Sequence, residues 1–160
     1  MVKEFKGNLL DFPEDINVIA HQANTLNVMG AGIALQIKDK WPEVYETDRD
    51  FSNQHMAKLG LFSATKVKEG IVVNLYGQNN INGGRNTDYE GIYSAMNKLY
   101  ELMSSPENMG KYVVGFPHGM SCGLAGGDWR IIHTMIESLA DKYGVETRIV
   151  KYECKETNES

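Results

Sequence analysis

Cysteine is scarce in this chain: Cys122 and Cys154 are the two among 160 residues, too far apart for the close doublets of a zinc site and too few for a disulfide framework. Both read as reduced thiols, buried or half-buried. No metal and no cofactor are expected. Long apolar runs are missing as well. No stretch approaches the roughly 18 uninterrupted apolar residues of a membrane helix, and the N-terminal segment lacks the apolar core of a secretory signal. The expectation is a soluble, cytoplasmic protein with no membrane partner. Positive charge is in deficit, with 16 Lys and Arg against 21 Asp and Glu and a formal net charge of -5. A duplex-binding surface needs a basic stripe to neutralise backbone phosphates, so duplex nucleic acid is not an expected partner.

What is present suits one folded unit. A hydrophobic content of 42% in 160 residues supports a single core, and we expect one domain over residues 1–154 with a flexible, solvated tail over 155–160. Strand and helix patterns alternate. Strands are expected at Val2–Phe5, Ile16–His21, Leu61–Lys68, Ile71–Tyr76, Tyr112–Phe116 and Glu146–Tyr152. A helix over Ala31–Lys40 is followed by a second that starts at Pro42, where a fixed φ and a missing N–H cost least, and runs to about Gln54. After a polar, flexible loop from Gly77 to Asn86, a third helix carries the stripe Ile92, Ala95, Met96, Leu99, Leu102 and Met103, capped by Thr87 or Asp88. A fourth repeats the spacing through Ile132, Met135, Ile136, Leu139, Ala140 and Tyr143 and ends at Gly144. Such alternation predicts an α/β sheet covered on both faces, with ligand at the C-terminal ends of parallel strands.

Two glycine-bearing segments stand at such ends. The run from Gly115 to Trp129 joins an apolar strand to a helix through small residues, and Met29-Gly30-Ala31-Gly32-Ile33-Ala34 opens another helix. Backbone N–H groups exposed by short side chains, with the positive end of a helix dipole, bind anions without basic residues. Two such cradles facing one ligand suggest linked phosphates. The P-loop pattern is absent, and Gly30-Ala31-Gly32 lacks the third glycine of a dinucleotide fingerprint. His21, Gln22, Ala23, Asn24, Gln78, Asn79 and His118 follow the strands and converge with the loops if those strands are neighbours.

On these residues the chain resembles the macrodomains, a family of ADP-ribose-binding folds. The likeness runs through Lys6-Gly7-Asn8-Leu9, Ala20-His21-Gln22-Ala23-Asn24, Met29 to Ala34, Ser121 to Trp129 and Val150-Lys151-Tyr152. Within the family it looks closest to the stand-alone ADP-ribose 1''-phosphate phosphatases and the terminal ADP-ribose glycohydrolase. The resemblance implies a three-layer α/β/α fold around a mixed, largely parallel six-stranded sheet, and a cleft for ADP-ribose.

By that resemblance Asn8 and Leu9 stand where the family contacts adenine, usually through an Asp, and Tyr152 stands where it often stacks an aromatic on the base; Tyr152 reads equally as an ordinary strand residue. Gly30, Ala31, Gly32, Ile33 and Ala34 match the first diphosphate loop. Ser121, Cys122, Gly123, Leu124, Ala125 and Gly126 match the second. Asn24 matches the residue that holds the distal ribose. Gln78 and Ala125 replace the Lys and Asp of the glycohydrolases, which disfavours that route. His21 matches the His of the phosphatases and suits proton transfer near neutrality. The expected reaction is attack by water on the phosphate of ADP-ribose 1''-phosphate, with His21, Asn24 and Asp128 as the catalytic set. Asp128 reads also as a helix cap, and His21 as a buried histidine. Binding without turnover, to free ADP-ribose or to ADP-ribosylated macromolecules, is the alternative, as is hydrolysis of an ADP-ribosyl bond by a different residue set.

Overall fold

A computed structural model describes residues 1–26, 28–51, 55–79 and 86–153, the side chains of residues 55, 56 and 124 excepted; Cys154 and the expected tail at 155–160 lie outside the described residues. Six strands, β1 (Val2–Gly7), β2 (Val18–Asn24), β3 (Phe62–Lys66), β4 (Ile71–Gln78), β5 (Val114–Pro117) and β6 (Thr147–Tyr152), form one sheet in the order β1-β6-β5-β2-β4-β3. All neighbours are parallel except the edge pair β3 and β4, which form an antiparallel hairpin. The hairpin is closed by the Val67 amide donating to the Gly70 carbonyl at 2.8 Å.

Four helices cover the two faces: α1 (Gly32–Lys40), α2 (Pro42–Asp50), α3 (Tyr89–Met103) and α4 (Trp129–Tyr143). Alternation along each strand sorts the side chains. Val18, Ala20, Val73, Leu75, Phe116 and Ile149 meet the apolar stripes of α3 and α4, while Ile19, Val72 and Val150 meet Ile37, Trp41 and Val44 from the α1–α2 side. This is the three-layer α/β/α arrangement. The stripe on α3 is narrower than its sequence suggests, because Leu102 falls at its margin and stays 52% exposed.

Caps match local chemistry. Asp88 accepts from the Gly91 amide at 2.8 Å and starts α3, and Gly144 ends α4 at φ +67. The second helix stops at Asp50 instead of Gln54, which lies outside the described residues. No helix among the described residues is long and apolar enough to cross a membrane.

Candidate functional site

Parallel strands bring their last residues to one edge of the sheet, and there an open cleft of about 740 Å³ is walled by Asn8 after β1, Gln22 to Asn24 of β2, Gln78 of β4, Pro117 of β5, and Val150 and Tyr152 of β6. The two expected cradles complete the walls. At the first, α1 begins with Ala31 as its N-cap and no side chain capping it. The first amides of a helix have no intrahelical acceptor. Among the described residues the N–H groups of Gly30, Ala31, Gly32, Ile33 and Ala34 make no hydrogen bond, and all five residues line the cleft.

The second cradle joins β5 to α4. Gly119, Ser121, Gly123 and Gly126 all have positive φ, from +64 to +81, so the loop alternates in direction and splits its amides into two sets. Those of Met120, Cys122, Gly126 and Gly127 are bonded within the loop, to Pro117, Gly119, Gly123 and Ser121 carbonyls respectively. Those of Gly119 and Ser121 make no hydrogen bond among the described residues, and both residues lie on the cleft wall. Alternate amides freed in this way are backbone donors of the kind that can take up an anion.

Side chains on the wall are mostly neutral. Among the described residues that line it there is no Lys, Arg, Asp or Glu. Asn8 spends its Oδ1 on the Leu10 amide at 3.0 Å, capping the short 3-10 turn Leu9–Asp11, while its Nδ2 makes no bond among the described residues. Leu9, buried, forms apolar wall beside it. Asn24 shapes the loop ahead of the first cradle: its Oδ1 accepts from Leu26 and its Nδ2 donates to the Val28 carbonyl at 2.8 Å. Tyr152 stands at the rim with 65% of its surface exposed. Cys122 lines the second loop as a thiol, its pKa raised by burial and by the Asp128 carboxylate. Ala125 is on the wall, whereas Gly123 and Gly126 build the turn behind it. Leu124 adds backbone to that turn, and its side chain lies outside the described set.

Two expected catalytic residues are not on the wall. His21 is 1% exposed and its Nε2 meets Asn74 Oδ1. Its register opposite Asn74 of β4 places it on the α1–α2 face, where a polar chain continues from Asn74 through Ser63 and Tyr76 to the buried Asp48–Lys58 pair, whose Nζ–Oδ1 distance is 3.2 Å. Burial pushes the imidazole pKa down, so the ring is held neutral behind the sheet. His21, expected to transfer a proton in the cleft, thus takes the place of a buried histidine bonded to Asn74 and does not line the cleft. For Asp128 the helix-cap reading holds: it caps α4, accepting from the Arg130 amide at 2.9 Å and from the Arg130 guanidinium at 2.9 Å. Those bonds hold its carboxyl below the usual range.

Other wall residues were open to sequence reasoning in part. Gln36 lies one turn after Ile33 on α1, a spacing that shares a face, and His118 ends its strand as expected and packs against Trp129 with ring centroids 4.9 Å apart. Thr87 was legible only as a rival cap for α3; it instead donates to the Ser121 carbonyl at 2.8 Å.

A sheet of this order between two helical layers, with two amide-lined loops across its C-terminal edge, is the macrodomain fold, and solved structures bear this out. The chain superposes on a macrodomain protein from Streptomyces coelicolor with a TM-score of 0.73, at 23% identity over 96% of this chain and 99% of that one. The macrodomain of Mycobacterium tuberculosis DarG gives 0.74 at 19% identity over 94% and 97%. Thermosipho africanus DarTG, solved in complex with ADP-ribose, gives 0.69 at 19% identity over 85% of this chain and 38% of that one. In sequence, the chain is 28% identical over 159 residues to an uncharacterized 17.5 kDa protein from the tk-vs intergenic region of Enterobacteria phage T4, covering 96% of this chain and 97% of that protein. No protein-family model matches it.

Proposed function

We propose that this protein binds ADP-ribose in the cleft, with the diphosphate held between the two backbone cradles and the adenosine laid toward Asn8, Leu9 and Tyr152. One observation carries the reading: the amides of Gly30 to Ala34 and of Gly119 and Ser121, without a partner among the described residues, belong to residues that line one cavity. Two amide sets suit two linked phosphates. A volume of about 740 Å³ falls within the roughly 300–1,000 Å³ of small-molecule sites. The shared fold with a DarTG solved with ADP-ribose supports the same ligand. The ADP-ribose moiety of a modified macromolecule is a second ligand of the same chemistry.

The role proposed is binding without turnover. Hydrolysis of ADP-ribose 1''-phosphate needs a group that moves a proton at the reacting phosphate. His21 lies behind the sheet, Asp128 is engaged by Arg130, and Cys122 is kept protonated. His118 is the imidazole among the described wall residues, and it therefore defines the rival reading. Calorimetry should give one-site binding of ADP-ribose, and incubation with ADP-ribose 1''-phosphate should release phosphate no faster than buffer alone. Release that His118→Ala abolishes would replace binding by hydrolysis; absence of any ADP-ribose binding would remove the site itself.

A further inference from the structure

Ser121 holds a backbone conformation that its β-carbon disfavours, with φ +72 in a loop where the other left-handed positions are glycine. Such a residue persists only where its surroundings over-determine it. Here a closed ring of side-chain bonds does so. Ser121 Oγ donates to Gln22 Oε1 at 2.6 Å, Gln22 Nε2 donates to Thr87 Oγ1 at 3.1 Å, and Thr87 Oγ1 donates to the Ser121 carbonyl at 2.8 Å. The directions are forced, because the single hydroxyl hydrogen of Thr87 goes to the carbonyl and its lone pair is left for the Gln22 amide.

The ring ties three separate elements together. Gln22 belongs to β2, Thr87 to the segment ahead of α3, and Ser121 to the second cradle. Two backbone bonds reinforce it, from the Asn86 and Thr87 amides to the Ala125 carbonyl at 2.9 and 3.0 Å. Ser121 and Thr87 are 6% and 3% exposed, so water competes poorly for these bonds. The Ser121 hydroxyl is engaged by Gln22, which leaves its amide as the group offered to an anion.

We infer that Gln22 and Thr87 are positioning residues for the anion site: they lock Ser121 left-handed, and so hold the amides of Gly119 and Ser121 in place for the ligand diphosphate. This rests on the ADP-ribose reading for the identity of the anion, but the lock itself is a property of the free protein.

Thr87→Val keeps the shape of the side chain and removes both hydroxyl bonds. Loss of hydrogen bonds that serve a charged ligand should weaken ADP-ribose binding about tenfold, while Thr87→Ser should restore it to within about twofold. Adenosine, which has no phosphate, should bind the Val variant as it binds the parent, measured by NMR titration. In the ligand-free protein the Ser121 and Gly119 amide resonances should shift in the Val variant and return in the Ser variant. Unmoved resonances with unchanged ADP-ribose affinity would overturn the inference, as would an equal loss of adenosine and ADP-ribose. If the parent binds no ADP-ribose, the proposed function falls, and the free-protein resonances still judge the lock. Should Thr87→Val fail to fold, Gln22→Met, which removes the bonds to Ser121 and Thr87, is read in the ligand-free protein alone: shifted Ser121 and Gly119 amide resonances are expected, and unmoved ones would overturn the lock.

Discussion

At the scale of single residues, His21 shows how one position is governed by the face it occupies. The imidazole is buried, with its Nε2 on Asn74 and its Nδ1 unpartnered among the described residues, and burial lowers its pKa from 6.5. The unfolded chain keeps the ordinary value. Below pH 6.5 the unfolded state therefore takes up more protons than the folded one, and stability is present in full above that pH and lost as pH falls toward the folded pKa. The slope from this one group reaches at most about 1.4 kcal/mol per pH unit. Urea denaturation from pH 7 to pH 5 should show a steeper loss for the parent than for His21→Gln; parallel curves would mean that His21 does not contribute. Periodicity of two makes it legible that His21 and Gln22 face opposite sides, but not which side receives α1 and α2.

At the scale of elements, the second cradle is built by backbone crowding as much as by glycine freedom. A β-carbon on Gly127 would overlap the Ser121 carbonyl oxygen and sit 3.3 Å from Thr87 Cγ2, and that oxygen is the acceptor for both Gly127 N and Thr87 Oγ1. A carbonyl cannot rotate away as a side chain can. Gly127→Ala should cost about 1–3 kcal/mol by overpacking, read from urea denaturation, and should weaken ADP-ribose binding as well. Wild-type stability in that variant would mean the loop shifts freely. Asp88 and Asp128 were both legible as caps, since an Asp before an amphipathic stripe satisfies orphan amides locally. The choice between Thr87 and Asp88 was not, because what removes Thr87 from capping is a carbonyl 34 residues away in sequence.

At the scale of the whole molecule, charge and cleft are decoupled. The chain carries a net charge of -5, yet the described cleft wall has no charged side chain, so an anionic ligand meets amide dipoles nearby and a weak repulsion at long range. Salt screens only the second. ADP-ribose affinity measured by calorimetry should therefore stay level or rise slightly, within about twofold, when NaCl goes from roughly 50 to 300 mM. A steep fall would place Lys or Arg side chains in contact with the phosphates. The same wall gives a physical reason why the acidic composition is compatible with a phosphorylated ligand.

What the sequence by itself determined were the locally encoded features: the number and order of strands and helices, the Asp128 and Gly144 caps of α4, and the two glycine-bearing loops at the end of the sheet. Each depends on residues within a few positions of one another, through periodicity, missing β-carbons and unpaired first-turn amides. Tertiary structure alone decided the β1-β6-β5-β2-β4-β3 order, the burial of His21 against Asn74, and the Gln22–Thr87–Ser121 ring. Those depend on which strands become neighbours, and hydrogen-bond partners 53 to 99 residues apart, as in His21 with Asn74 and Gln22 with Ser121, leave no local periodic trace.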